Sequence, residues 1–242
     1  MGALITFSLS ILVRIAKLEI AGNKPKALAS LRHYLKNKKE KYAVAILDGD
    51  YDPLLEAVYE REVFLTDCCD LISQTFYTDR SLQYALDVVS DQAPSVSEVR
   101  DTVEEMLGNL GYVRLANHRH RLEISLCDIT AKLAGKTIEE IVDSLFKMKK
   151  VNTDLSKECL LSLCKTERAG DCPVFLLLRG HDIGIAVSVF LKKKIKSGKN
   201  TSPTKIEDAM LAAYDSKDFT DTDMYKSISS WASEIGLDIF SV

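Results

Sequence analysis

Glycine and proline are scarce in this chain, 11 and 5 in 242 residues, and turns are the chief users of both. Sandwiches and barrels need such punctuation roughly every 8–12 residues, so the expectation is a mostly α protein of stacked antiparallel helices. Also missing are a Gly-rich phosphate loop, a GxSxG elbow, an HExxH zinc motif and a dinucleotide fingerprint. The four histidines, His33, His118, His120 and His181, lack neighbours suited to acid–base work. In Arg179-Gly180-His181-Asp182 the aspartate is read as the cap of a helix starting at Ile183. These gaps point away from an enzyme and imply no cofactor.

The six cysteines, Cys68, Cys69, Cys127, Cys159, Cys164 and Cys172, form no CxxC pair and have no histidine at zinc-ligand spacing. Adjacent side chains on a helix point about 100° apart, so Cys68 and Cys69 do not share a metal comfortably. No metal site is expected, and the thiols read as reduced, in a cytoplasmic or nuclear compartment. Three aspartates in Asp48-Gly49-Asp50-Tyr51-Asp52-Pro53 invite comparison with a calcium loop, but the glycine is misplaced and no twelfth-position Glu follows. Asp52 and Pro53 instead suit an N-cap and first helical residue, opening a helix to about Phe76.

Charge is absent from the first thirteen residues, MGALITFSLSILV. Arg14, Lys17 and Glu19 interrupt the apolar run before the roughly 20 residues a membrane span needs, and no basic start or cleavage site marks a signal peptide. Gly2 and Thr6 satisfy the myristoylation pattern. Ile5, Leu9, Leu12, Ile15 and Leu18 read as a buried helix over 3–21.

A net charge of −3 and a pI near 5.9 argue against wholesale coating by nucleic acid, yet the charge is unevenly spread. Nine Lys or Arg and two acids lie between Arg14 and Leu47, whereas Asp48 to Glu105 holds fifteen acids and three Arg. A second helix from Lys24 buries Leu28, Leu31, Leu35, Tyr42 and Ile46. A fourth, over 79–91, buries Leu82, Leu86 and Val89. Ser95 and Glu98 form a capping box for a fifth, which Gly111 closes. These antiparallel helices resemble a stack of helical hairpins, without a nameable repeat.

Between Tyr112 and Leu126 the period changes to alternation around a polar turn at Asn117, which predicts a short β-hairpin. It carries the densest basic spot of the middle chain, Arg114, His118, Arg119, His120 and Arg121. Next come Cys127–Lys150, apolar at helical spacing on either side of Gly135, a helix-turn-helix that the hairpin makes winged. TAKLAGKTIEEIVDSL resembles the helix-turn-helix of LacI-type repressors, with Ala131 at the close packing point, Gly135 at the turn, and Ile141 and Leu145 on the buried side. That resemblance implies a second helix entering the major groove. Glu139, Glu140 and Asp143 stand where phosphate-facing basic groups belong, so the unit reads as structural.

Beyond it, Lys192, Lys193, Lys194 and Lys196 close an apolar helix, a second polyanion candidate, before a linker near 197–203. Two amphipathic helices follow, over 204–214 and 222–235. Trp231 shares a face with Ile228 and Ile235, and Leu237, Ile239 and Phe240 have no following element to cover them. The chain divides into a helical part over 1–111, a hairpin plus helix-turn-helix over 112–170 and a helical part over 171–242.

Greasy ends on an ordinary acidic body suggest a non-enzymatic protein that self-assembles or joins a larger complex, with Leu4, Ile5, Leu9, Trp231, Leu237, Ile239 and Phe240 as contacts. Nucleic acid is a subsidiary partner, through Arg114, His118, Arg119, His120, Arg121 and the lysine run. Two alternatives are a membrane-associated assembly protein anchored by its N-terminus, and a small-molecule enzyme with a site hidden between helices.

Overall fold

The computed structural model describes residues 21–37, 42–151, 154–194 and 201–237. Among them the chain is mostly helical, with one small parallel sheet. The order is α1 (Lys24–Asn37), β1 (Ala45–Leu47), a 3-10 turn (Asp52–Leu55), β2 (Val63–Leu65), α2 (Leu71–Phe76), α3 (Asp79–Val89), α4 (Val96–His120), α5 (Thr130–Leu133) and α6 (Ile138–Lys147). It continues with α7 (Lys157–Ala169), a second 3-10 turn (Val174–Leu176), α8 (Gly180–Lys194), α9 (Pro203–Ala213), α10 (Ser216–Thr220) and α11 (Asp223–Glu234). No helix among the described residues is long and apolar enough to cross a membrane.

Two units share the chain: unit 1 takes Met1–Asp48, Val58–Asp67 and Asp215–Val242, and unit 2 takes Gly49–Ala57 and Cys68–Tyr214. The divisions drawn from sequence after residues 111 and 170 both fall inside unit 2.

Unit 1 is a two-stranded sheet with a helix on each face. The strands pair in parallel, Ala45 with Val63, Ile46 with Phe64 and Leu47 with Leu65. Strand side chains alternate. Ala45 and Leu47 therefore pack with Val63 and Leu65 against Leu31 of α1, while Phe64 points the other way, into Met224, Ile228, Trp231 and Ala232 of α11. The Phe64 and Trp231 rings meet edge to face, centroids 6.2 Å apart. Asp67 fixes the start of α11: its carboxylate accepts the Asp223 and Met224 N–H groups at 2.7 and 2.8 Å.

Unit 2 is built on α4. Val99, Val103, Leu107, Leu110 and Val113 recur at three- and four-residue steps and are fully buried. Each such side chain contributes about 1.5–3 kcal/mol of burial. The α4 helix packs on α6, α7 and α8, and α9 lies across α3 and α8. Lys165 of α7 pairs with Glu139, and Lys157 with Asp143, so two α6 acids that weigh against a DNA-reading role hold neighbouring chain. Glu140 closes a capping box with Thr137.

Several expectations are corrected. The residues read as a hairpin continue α4 to His120, and the chain then turns at Arg121 with φ 50°. Gly111 does not close the helix. It is there because Leu177 approaches so closely that a Cβ at 111 would lie 2.9 Å from the Leu177 Cβ. Alternation at Val113 and Leu115 misled because α4 is buried on more than one side here, with Gly111, Arg114 and Ala116 inside as well.

The strands lie instead in stretches read as helix: the second helix ends at Asn37, and the Asp52–Phe76 helix resolves into a 3-10 turn, β2 and α2. Ser95 accepts the Glu98 N–H, but Glu98 turns its carboxylate to Lys194 rather than completing the box. Gly135 does make the turn between α5 and α6, with φ 77°, whereas Ala131 is exposed rather than packed. Residues 3–20 of the expected helix over 3–21 lie outside the described residues, and Ala21 is not helical.

Candidate functional site

The basic residues singled out from the sequence separate into three environments. Arg114 is interior: its Nε lies 2.7 Å from Asp182 Oδ2, with both side chains less than a tenth exposed. Its Nη2 donates to Asp182 Oδ1 at 2.8 Å and to the Leu126 carbonyl at 3.2 Å. Thr130 donates its hydroxyl to the same Asp182 Oδ1 at 2.5 Å. Arg114 is thus removed from the polyanion set, and Asp182, inside the first turn of α8, does not cap a helix from Ile183. A buried ion pair requires such partners, because each desolvated charge alone costs several kcal/mol.

At the end of α4, Arg119 Nε lies 2.9 Å and His120 Nε2 3.5 Å from Oε1 of the buried Glu167. His118 lies against the Tyr51 ring, centroids 5.5 Å apart. Arg121 is exposed, without an ion pair among the described residues. The same holds for Lys192 and Lys193, whereas Lys194 pairs with Glu98, and Lys196 lies outside the described residues. Of the basic candidates, Arg121, Lys192 and Lys193 are thus the cations without an ion pair among the described residues, while Glu167 partly neutralises Arg119 and His120.

Two titratable groups of unit 2 depart from ordinary behaviour. Glu207 of α9 is held by burial above the usual carboxylate range, and His181, with Nδ1 3.1 Å from Glu207 Oε1, opposes that rise. Burial also raises the pKa of Tyr51, whose hydroxyl is buried without a hydrogen-bond partner. No group of three or more His, Cys, Asp or Glu among the described residues is arranged to hold a metal ion.

The apolar candidates are redistributed too. Trp231 is covered within unit 1 by Phe64, and Leu237 packs on the same cluster, so Trp231 is not open to a partner. Gly2, Leu4, Ile5, Leu9, Ile239 and Phe240 lie outside the described residues. Sequence reasoning missed a different set: of the six large hydrophobic residues left exposed among the described residues, Leu35, Val44, Ile46 and Val58 belong to unit 1. Val44 and Ile46 follow Tyr42 at period two on the face of Phe64 and α11. That signal was present in the sequence, but Leu35, Tyr42 and Ile46 also fit a helical stripe.

The chain matches no protein-family model, no curated protein and no solved structure in comparisons with each.

Proposed function

We propose that this chain works by binding rather than by catalysis, as a mostly helical protein that assembles with copies of itself or as a subunit of a larger complex. The observation that carries the reading is the concentration of exposed large apolar side chains on unit 1, where Leu35, Val44 and Ile46 are 36, 37 and 45% exposed and Val58 is 94% exposed. Single exposed apolar residues are ordinary and contiguous ones mark interaction surfaces; Val44 and Ile46 are neighbours on one face of the sheet. A two-stranded sheet is also marginal alone, and although α1 and α11 lie on its two faces, Val44 and Ile46 stay partly bare. The sequence also opens with the uncharged apolar run MGALITFSLSILV.

Nucleic acid is a second partner in this proposal, through the exposed Arg121, Lys192 and Lys193 with Arg119 and His120. The net charge of −3 makes such contact local and strongly salt-dependent. Light scattering across a concentration series tests the first part, with a mass above the 27.0 kDa of one chain expected. Fluorescence anisotropy with labelled single-stranded RNA and duplex DNA tests the second, with binding at low salt that weakens as salt rises. A monomer at every concentration that ignores both nucleic acids overturns the proposal.

A further inference from the structure

The β1 strand has an open edge. Ala45 N–H donates to the Glu62 carbonyl at 2.9 Å and the Leu47 carbonyl accepts from Thr66 N–H at 3.0 Å, so the odd residues of β1 bond inward to β2 and its neighbours. Alternation then turns the N–H and C=O of Ile46 outward, and among the described residues they take no hydrogen bond. Sheet edges of this kind are templates for another strand, which is why proteins shield them with charge, proline or a covering element. Here the edge residue is an isoleucine, 45% exposed, flanked on its own face by Val44 at 37%. The α11 helix covers Phe64 of β2 on that face and leaves Ile46 bare beside it.

A matching occupant is written in the same chain. The run that also fits a helix at three- and four-residue steps alternates over its first part: Ile5, Phe7, Leu9 and Ile11 with Thr6, Ser8 and Ser10, in a stretch without charge, glycine or proline. Period-two alternation of β-branched, aromatic and small hydroxyl residues is the pattern of a half-buried strand. Main-chain hydrogen bonds to an exposed edge supply affinity in strand addition, and alternate side chains supply specificity. Ile46 remains exposed, and no described residue bonds to its outward groups or covers this edge.

We propose that the outer edge of β1 receives the segment 5–11 of a second copy as an added strand, with its apolar side chains laid on Val44 and Ile46 beside α11. Two copies exchange these segments reciprocally, each giving one and accepting one, which closes the assembly. The inference rests on the assembly reading above and names its surface and its partner.

Three proteins test it by light scattering: the full chain, the chain lacking residues 1–13, and Ile46→Lys. Ile46 is exposed, so a lysine there disturbs the edge and not the core, with circular dichroism and Trp231 emission as checks on folding. The full chain is expected at twice 27.0 kDa and both altered chains at half that mass. Mixing the two altered chains is the decisive arm. The truncated chain keeps an intact edge and Ile46→Lys keeps an intact segment, so together they re-form a 1:1 dimer. Should Ile46→Lys misfold, Val44→Lys on the edge and Ser8→Pro in the segment replace it.

A full chain that self-associates while Ile46→Lys and Ser8→Pro keep its mass overturns this surface and leaves assembly standing. Two monomeric altered chains that fail to pair on mixing also overturn it. A full chain that is monomeric at every concentration removes both proposals together.

Discussion

The carboxylate of Asp70 and the backbone of Gly180, 110 residues apart, join two helix starts in unit 2. Asp70 Oδ1 accepts the Ser73 N–H of α2 at 2.8 Å, and Oδ2 accepts the Gly180 N–H that opens α8 at 2.9 Å. Helix N-termini carry unsatisfied donors and positive partial charge, so one carboxylate serves both ends. The approach is so close that a Cβ at 180 would sit 2.2 Å from the Ile72 Cβ and 2.6 Å from Asp70 Oδ1.

Gly180→Ala is therefore expected to destabilise the protein by about 3 kcal/mol, because the Ile72 Cβ is fixed to the α2 backbone and cannot rotate away. Gly108, inside α4, is the opposite case: nothing lies within 4 Å of a Cβ there. Gly108→Ala should raise stability by about 0.5–1 kcal/mol through lower backbone entropy in the unfolded chain. Urea unfolding of the two variants, read by circular dichroism, checks both signs; equal midpoints for the two would contradict the argument.

Breaking the interior ion pair should be costly from one side and mild from both. Asp182→Ala leaves the Arg114 guanidinium buried without its partner, expected at about 3–5 kcal/mol. Thr130→Val removes one hydrogen bond to a charged acceptor, about 1.5–3 kcal/mol. The double variant Arg114→Met with Asp182→Leu should recover most of the Asp182→Ala loss, because no lone charge stays inside. Stabilities that simply add in the resulting cycle would show the pair to be uncoupled.

Features held by local sequence were legible, and features held by distant partners were not. The buried side of α3, Leu82, Leu86 and Val89, followed from spacing, as did Ile141 and Leu145 on α6 and the turn at Gly135. The strands escaped because each has three residues, too few for a period to declare itself. The end of α4 escaped because Gly111 is required by Leu177, 66 residues further on. Arg114 stood in the sequence as one member of a basic cluster, and only Asp182, 68 residues away, takes it inside. Ile46 looked like core because its spacing from Leu35 and Tyr42 suits a helix.

Thiol reactivity should sort the cysteines by burial. Cys127 and Cys159 are exposed, Cys172 is half-buried, and Cys68, Cys69 and Cys164 are buried. Burial pushes the Cys164 thiol up to about 12, and burial followed by the nearby Glu167 charge also raises Cys172. The thiolate is the reactive form, so a disulfide reagent near pH 8 should label Cys127 and Cys159 first, Cys172 more slowly, and the other three only in denaturant. Rapid labelling of Cys164 in the folded protein would contradict its burial.

Glu207 gives the protein a pH dependence whose sign is opposite to that of an ordinary ion-paired carboxylate. It lies over the bare face of Gly184, where a Cβ would meet its Oε1 at 2.5 Å, and burial raises its pKa above the unfolded value. The charges of Asp208 and Asp70 push the same way, against the lowering influence of His181. A raised carboxyl contributes stability that is complete below the unfolded pKa, about 4.3, and is lost as pH climbs through the folded value. Glu207→Gln stays neutral throughout, so thermal midpoints taken from pH 4 to 7 should move in favour of the variant as pH rises. His181→Ala should steepen the native decline, because it removes the one nearby group that favours the Glu207 carboxylate. Parallel pH profiles for the native protein and Glu207→Gln would place the carboxyl in ordinary solvent instead.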